Sequence, residues 1–312
     1  MRSDTRPLGI VLALLFTLIP LRAVADARPE AVLTEVRHGV GAVLVVKAGQ
    51  TVARPAEPLM TVGPDDKVIA RGDARAVVLF PGGVTRSVTQ ATSPLTVPAL
   101  EDEQGGELRG ALTRLYGVLK GGTVPRMYVQ MGTRLGKAGG TAAPLVRFLP
   151  DAVVFDWRAR QGAFYEVVVA GDEGARWTHT RGAPPLAYPQ DAPPLVPGTV
   201  YEFRVRSNQT IIEQSFFEVA SEEEQTAVRA ELAELDALPA PPVTRALLRG
   251  SYLASARFLP SARRELETSI ETHPAEASLR SLLASVYTSL GRGDLADKER
   301  RVAKSLTRLT VK

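Results

Sequence analysis

Leu195-Val196-Pro197-Gly198-Thr199-Val200-Tyr201-Glu202-Phe203-Arg204-Val205 is the stretch whose pattern decides the fold of this 312-residue chain. A Pro-Gly turn feeds strictly alternating Tyr201, Phe203 and Val205, and a period of two puts these large apolar side chains on one face of a strand. That face needs a core to cover it, which makes the segment a strand of a β-sandwich. Upstream lies a Val- and Gly-rich β region, and downstream comes a pattern of paired helices. Three modules in a row are the expectation.

The hydrophobic share of 45% is ordinary for a chain that buries real cores, and the length suffices for two or three domains. Arg2 and Arg6 precede an apolar run from Leu8 to Leu21, and Ala23-Val24-Ala25 follows before Asp26. This is the layout of a secretory signal peptide over residues 1–25, cleaved after Ala25, so the expected location is periplasmic or secreted. The run is broken by Pro20 and falls short of the about twenty residues that span a bilayer. An uncleaved anchor is the alternative, and no membrane span is expected after cleavage. Loss of Arg2, Arg6, Arg22 and Asp4 with the signal takes the formal charge from +4 to about +2, which argues against nucleic acid as a partner. With no cysteine, disulfides, thiolate metal sites and a lipoprotein anchor are excluded, so packing alone must stabilise the mature chain.

Residues 39–98 read as a small all-β domain. Val43 to Val46, Val68-Ile69-Ala70, Ala76 to Phe80 and Val84 to Val88 are β-type runs, with turns at Gly63-Pro64-Asp65-Asp66 and Pro81-Gly82-Gly83. The order of Gly63, Asp66, Val68-Ile69, then Arg75-Ala76-Val77-Val78-Leu79-Phe80, a Gly turn and a closing Val-x-x-Ser-Val resembles the FecR-like domain of bacterial periplasmic proteins. FecR proteins proper also carry a cytoplasmic regulatory segment and a membrane span. About seven residues precede the apolar run here, so the resemblance does not carry over anti-sigma activity.

Residues 99–143 form a connector with a short helix, in which Leu108, Leu112, Leu115, Val118 and Leu119 fall at helical spacing before Gly121-Gly122. Met127-Tyr128-Val129 is a short β-like run ahead of the Gly-rich 132–140. Over residues 144–220 the pattern is β again, with runs at Val153 to Trp157, Phe164 to Val169 and Gln214 to Val219. An early Trp157, the Tyr-x-Val-x-Val of 165–169 and the Leu-x-Pro-Gly-Thr-x-Tyr-x-Phe-x-Val of 195–205 resemble a fibronectin type III or related immunoglobulin-like sandwich. The resemblance implies that Trp157 and Tyr201 are core residues.

Residues 221–312 read as helices. Ser221-Glu222-Glu223-Glu224 is a capping pattern with acids in the first turn, and the helix should run to about Ala237 before Pro241-Pro242. Ala262 to Ala296 and Gly250 to Ala284 are both separations of 34 residues. This period, with Tyr252, Leu266, Pro274, Tyr287 and Gly291, resembles the tetratricopeptide repeat, and the Ser221 helix is expected to cap the array. The fold class is therefore multidomain: an all-β FecR-like domain, a middle β-sandwich and C-terminal helical hairpins.

No constellation points to an enzyme. His38, His179 and His273 lie far apart without metal-ligand spacing, and Ser215 and Ser251 lack a nucleophile elbow or an evident base, so neither a cofactor nor a metal is expected. Arg71-Gly72-Asp73 reads as a turn rather than an adhesion signal. Asp65-Asp66 and Glu101-Asp102-Glu103 lack the alternating spacing of a calcium loop. The Gly-Gly pairs at 105, 121 and 139 lack the Gly-Lys-Ser/Thr of a phosphate loop. Lys304, Arg308 and Lys312 form a basic stripe that favours the end of its helix dipole.

In the repeat family the first helix of each pair lines a concave groove. This resemblance implies that Arg245, Arg249 and Arg280 face such a groove and suit an acidic peptide or envelope protein. The expected function is an exported, non-enzymatic adaptor or scaffold of the bacterial cell envelope, in sensing or surface assembly. The alternative is a binder of cell-wall polymer or polysaccharide through the β modules, for which Trp177 and Tyr188 are the candidate aromatic residues.

Overall fold

A computed structural model describes residues 31–81, 83–99, 110, 114–115, 117–118, 127–130, 142–150, 153–159, 163–172, 174–180 and 183–307. The expected signal peptide, Glu101-Asp102-Glu103, the Gly-rich 132–140 and the tail from 308 lie outside these residues. The strands of the first region are β1 (Ala31–Arg37), β2 (Val43–Val46), β3 (Ala53–Pro55), β4 (Thr61–Val62), β5 (Lys67–Ala70), β6 (Arg75–Leu79), β7 (Thr85–Val88) and β8 (Leu95–Thr96). They form two antiparallel sheets, ordered β4-β1-β6-β7 and β3-β2-β5-β8. Leu33, Val36, Ala76 and Val78 of one sheet share a core with Val43, Val45, Val68 and Ala70 of the other.

Strand β1 lies ahead of the boundary expected at residue 39, yet it pairs in the middle of its sheet. Its Ala-Val-Leu-Thr run and the Ala-Val-Val-Leu of β6 do not alternate because both faces of each strand are covered. Ala76 and Val78 face the sandwich core, whereas Val32 and Leu79 belong to a second core shared with the helices.

The middle region contains β9 (Met127–Gln130), β10 (Ala142–Phe148), β11 (Val154–Phe155), β12 (Glu166–Gly171), β13 (Gly174–Thr180), β14 (Leu186–Ala187), β15 (Val200–Ser207) and β16 (Thr210–Val219). Six of them form a sheet ordered β13-β12-β15-β16-β10-β9, in which β10 runs parallel to β16, and β11 pairs with β14 in a second, two-stranded sheet. Strand β15 is the deciding stretch. Tyr201, Phe203 and Val205 face one core with Val167, Val169 and Phe217, beneath Phe155 and Trp157. Phe155 stacks on Phe203 at 4.5 Å between ring centres.

Five helices follow: α1 (Glu222–Asp236), α2 (Pro242–Ser255), α3 (Leu259–Thr272), α4 (Ala277–Ser289) and α5 (Gly293–Thr307). Helix α1 begins with the capping box that its sequence announces. Glu224 N–H donates to Ser221 Oγ at 3.3 Å, and Ser221 N–H donates to Glu224 Oε2 at 3.1 Å. Pro242 opens α2 at its first turn, where no N–H is needed. The α2/α3 and α4/α5 hairpins pack closely through small residues. Gly250 sits where a Cβ would come within 2.9 Å of Leu266 Cδ2, and Ala262, Ala284 and Ala296 are buried. The architecture is a β-rich N-terminal and middle region followed by helices, and no helix among the described residues is long and apolar enough to cross a membrane.

Candidate functional site

The helical array is not a separate bead. Val32 and Leu79 of the first sandwich and Ala220 after β16 enter one apolar cluster with Leu247, Leu279 and Leu282 of the array. Leu115 and Val118, two of the five residues expected on the connector helix, are helical and buried in that same cluster. A bulge in β1 between Leu33 and Glu35 leaves Thr34 free to turn toward the helices, where its Oγ1 lies 2.8 Å from Thr244 Oγ1. Arg37 donates to the carboxylate of Glu276, which is 1% exposed just ahead of α4. Burial pushes the Glu35 carboxyl up, against the pull of Arg37, Arg75 and His273. Strand β1 thus contacts α2 and α4, the first helix of each hairpin.

The three arginines expected to line a peptide groove are held within the chain. Arg249 donates from Nε and Nη2 to Glu265 at 2.9 and 3.0 Å and from Nη1 to Asp236 Oδ2 at 2.7 Å. It therefore ties α2 to α3 and to the end of α1. Arg245 reaches the Asp236 carbonyl at 3.2 Å, so it and Arg249 meet at the same residue. Arg280 lies apart, donating to Glu299 Oε2 at 2.8 Å and to the Pro274 carbonyl. Their intrachain partners were not legible from spacing alone, because each carboxylate sits on a different helix.

Trp177 and Tyr188, the expected aromatic platform, do come together. Their rings meet edge to face at 5.3 Å, Trp177 also stacks on His179, and Tyr188 Oη donates to the Pro193 carbonyl at 2.6 Å. Both are half-buried against the sandwich core rather than standing free.

The sequence did not reveal a cleft of about 540 Å³ between the middle sandwich and the array. Its floor is Phe155, Trp157, Phe203 and Phe217, and its far wall comes from α3 and the turn between α4 and α5. Asp156 holds this wall in place by accepting from Arg263 Nη1 at 2.9 Å and Arg292 Nη1 at 2.7 Å. Glu213 stands at the mouth, its carboxyl pushed up by burial and pulled down by Arg292.

Other motifs have structural work. The Asp73 carboxylate of Arg71-Gly72-Asp73 accepts from the N–H groups of Val40 and Gly41 at 2.6 and 3.1 Å. Gly41 is obligatory there, since a Cβ would lie 1.7 Å from the Arg71 carbonyl oxygen. Asp66 accepts from Lys47 Nζ and from the N–H groups of Ala48 and Gly63. Burial pushes its carboxyl up, but those bonds outweigh the effect and hold it below the usual range. His38 is buried, with Nδ1 accepting from Val43 N–H and Nε2 facing the Ala56 carbonyl, each at 3.1 Å. No group of three or more His, Asp or Glu side chains among the described residues could hold a metal ion. Compared with known proteins, the chain matches no family model and no curated protein.

Proposed function

We propose that this chain is an exported, non-enzymatic adaptor or scaffold of the bacterial cell envelope that binds a partner protein through its helical repeats. In this reading the first sandwich is FecR-like, the second immunoglobulin- or fibronectin-like, and the helices tetratricopeptide-like. The observation that carries it is the pair of hairpins with matched small residues, Ala262 and Ala296, buried at equivalent positions 34 residues apart. The middle assignment is supported by Trp157, 2% exposed, and by Val196 N–H donating to Tyr201 Oη at 2.8 Å, the bond of a tyrosine corner.

Because β1 covers α2 and α4, the partner is expected on the outer faces of the array, where Arg301 is exposed and Arg245, though bonded to the Asp236 carbonyl, is only half-buried. Deleting the helices would uncover Val32 and Leu79, so the test keeps the whole chain. Affinity capture from crosslinked cells compares the parent with the Arg245→Glu, Arg301→Glu double variant. One envelope protein captured by the parent and lost by the folded variant supports the reading. Capture of the same protein by both places its contact elsewhere and contradicts the assignment to these faces.

A second reading, binding of cell-wall polymer by the β modules, is favoured by the Trp177 and Tyr188 pairing. Sedimentation with purified wall polymer that Trp177→Ala abolishes would establish it.

A further inference from the structure

The cleft between sandwich and array carries an inference independent of the adaptor reading. Alternation along β16 puts Glu213, Ser215 and Phe217 on one face, so a path leads from a charged mouth to an aromatic floor. We propose that this cleft binds a small ligand with an apolar body and a single carboxylate.

Three observations carry the proposal. First, Trp157 lines the cleft and keeps a buried indole N–H with no acceptor among the described residues, which is uncommon for a buried donor. Second, Arg263 and Arg292 each commit Nη1 to Asp156, and among the described residues neither donates a hydrogen bond to a carboxylate from its other Nη. The cleft therefore holds donors in surplus, and a ligand must bring acceptors. Third, four arginines, Arg158, Arg257, Arg263 and Arg292, face three carboxylates, Asp156, Glu213 and Asp294, which favours a monoanion.

The floor decides the rest of the ligand. Phe155, Trp157, Phe203 and Phe217 are at most 3% exposed and lie at the base, so they suit an inserted apolar group rather than a sugar laid across an open ring. A volume of about 540 Å³ holds a single small molecule. An ionised Glu213 would repel the ligand's carboxylate, while Arg292 and Arg263 attract it. Binding therefore tightens when Glu213 is neutral.

A peptide C-terminus and a fatty acid share this chemistry. The test is titration calorimetry of the full chain with N-acetyl-L-phenylalanine and with octanoate, each against its neutral amide. At least one acid should bind at a single site, with its amide weaker by about tenfold or more. Preference for the phenylalanine derivative points to a peptide terminus, and preference for octanoate points to an acyl chain. Glu213→Gln should tighten binding at neutral pH, and Ser215→Leu, which fills the path to the floor, should abolish it. Absence of binding by both acids, equal binding of acid and amide, or unchanged binding in folded Ser215→Leu would each overturn the proposal. Should Ser215→Leu fail to fold, the acid-against-amide comparison in the parent chain still decides.

Discussion

Leu79→Ala separates a chain of independent modules from one whose sandwich and helices share a core. Leu79 sits on β6, 1% exposed, on the face turned away from its own sandwich core and in a cluster with Leu247 and Leu279. On an uncovered sheet, trimming it would shift stability by about 0.5 kcal/mol or less. Buried against the array, it loses its three outer carbons from a packed core, at a cost of roughly 2–5 kcal/mol. The assay is urea unfolding of the chain, followed by helical circular dichroism. Among its described residues the first sandwich contributes only one 3-10 turn, Gln90–Thr92, to that signal, so a lower midpoint reports on coupling across the interface. Val84→Ala, in the same sandwich but 55% exposed, is the control and should leave the curve in place. A Leu79→Ala curve that overlays the parent would refute the shared core.

The remaining predictions concern buried charge and helix contact. Asp66→Asn should cost roughly 2–3 kcal/mol at neutral pH by weakening its bonds to Lys47, Ala48 and Gly63. The native carboxyl lies below the usual range, so this contribution is present above about pH 3.9 and fades as pH falls through the native value. Urea midpoints measured along a pH series check this. Glu35 behaves in the opposite sense: its native carboxyl is raised, so the unfolded chain releases the proton first and stability falls as pH rises through that window. Glu35→Gln should therefore raise the stability at neutral pH by about 1 kcal/mol, and a lowered urea midpoint would contradict it. His38 is pushed down by burial, so the native state should weaken as pH falls below about 6.5, and His38→Gln should flatten that part of the pH profile. Gly250→Val should cost roughly 1–3 kcal/mol in thermal unfolding, because its added methyl groups meet Leu266.

Local elements were legible wherever one face of a segment is apolar and the other wet. The alternation of Tyr201, Phe203 and Val205 gave β15, and Ser221 with Glu224 gave the start of α1 to within a residue. The first strand was harder: Ala31 to Leu33 is apolar without alternation, because helices cover the face that would otherwise be wet. Strand β10 was obscured by its long-range parallel pairing with β16, which leaves no local trace.

The joints between modules were not legible at all. Thr34 and Thr244 are 210 residues apart, Arg37 and Glu276 are 239 apart, and Asp156 and Arg263 are 107 apart. Pattern reading sees a stripe of arginines on the helices but not the carboxylates that other elements bring to them. The arginines could therefore be read only as a groove lining, without their intrachain partners, and the cleft stayed hidden.

Site-specific photocrosslinking in cells tests the adaptor claim most directly. The crosslinker is placed at Arg301 on the array and, in a second version, at the exposed Thr178 on β13, both in the full chain. A discrete adduct with one envelope protein is expected from position 301 and none from position 178. Adducts with wall polymer from position 178 and no protein adduct from position 301 would contradict it.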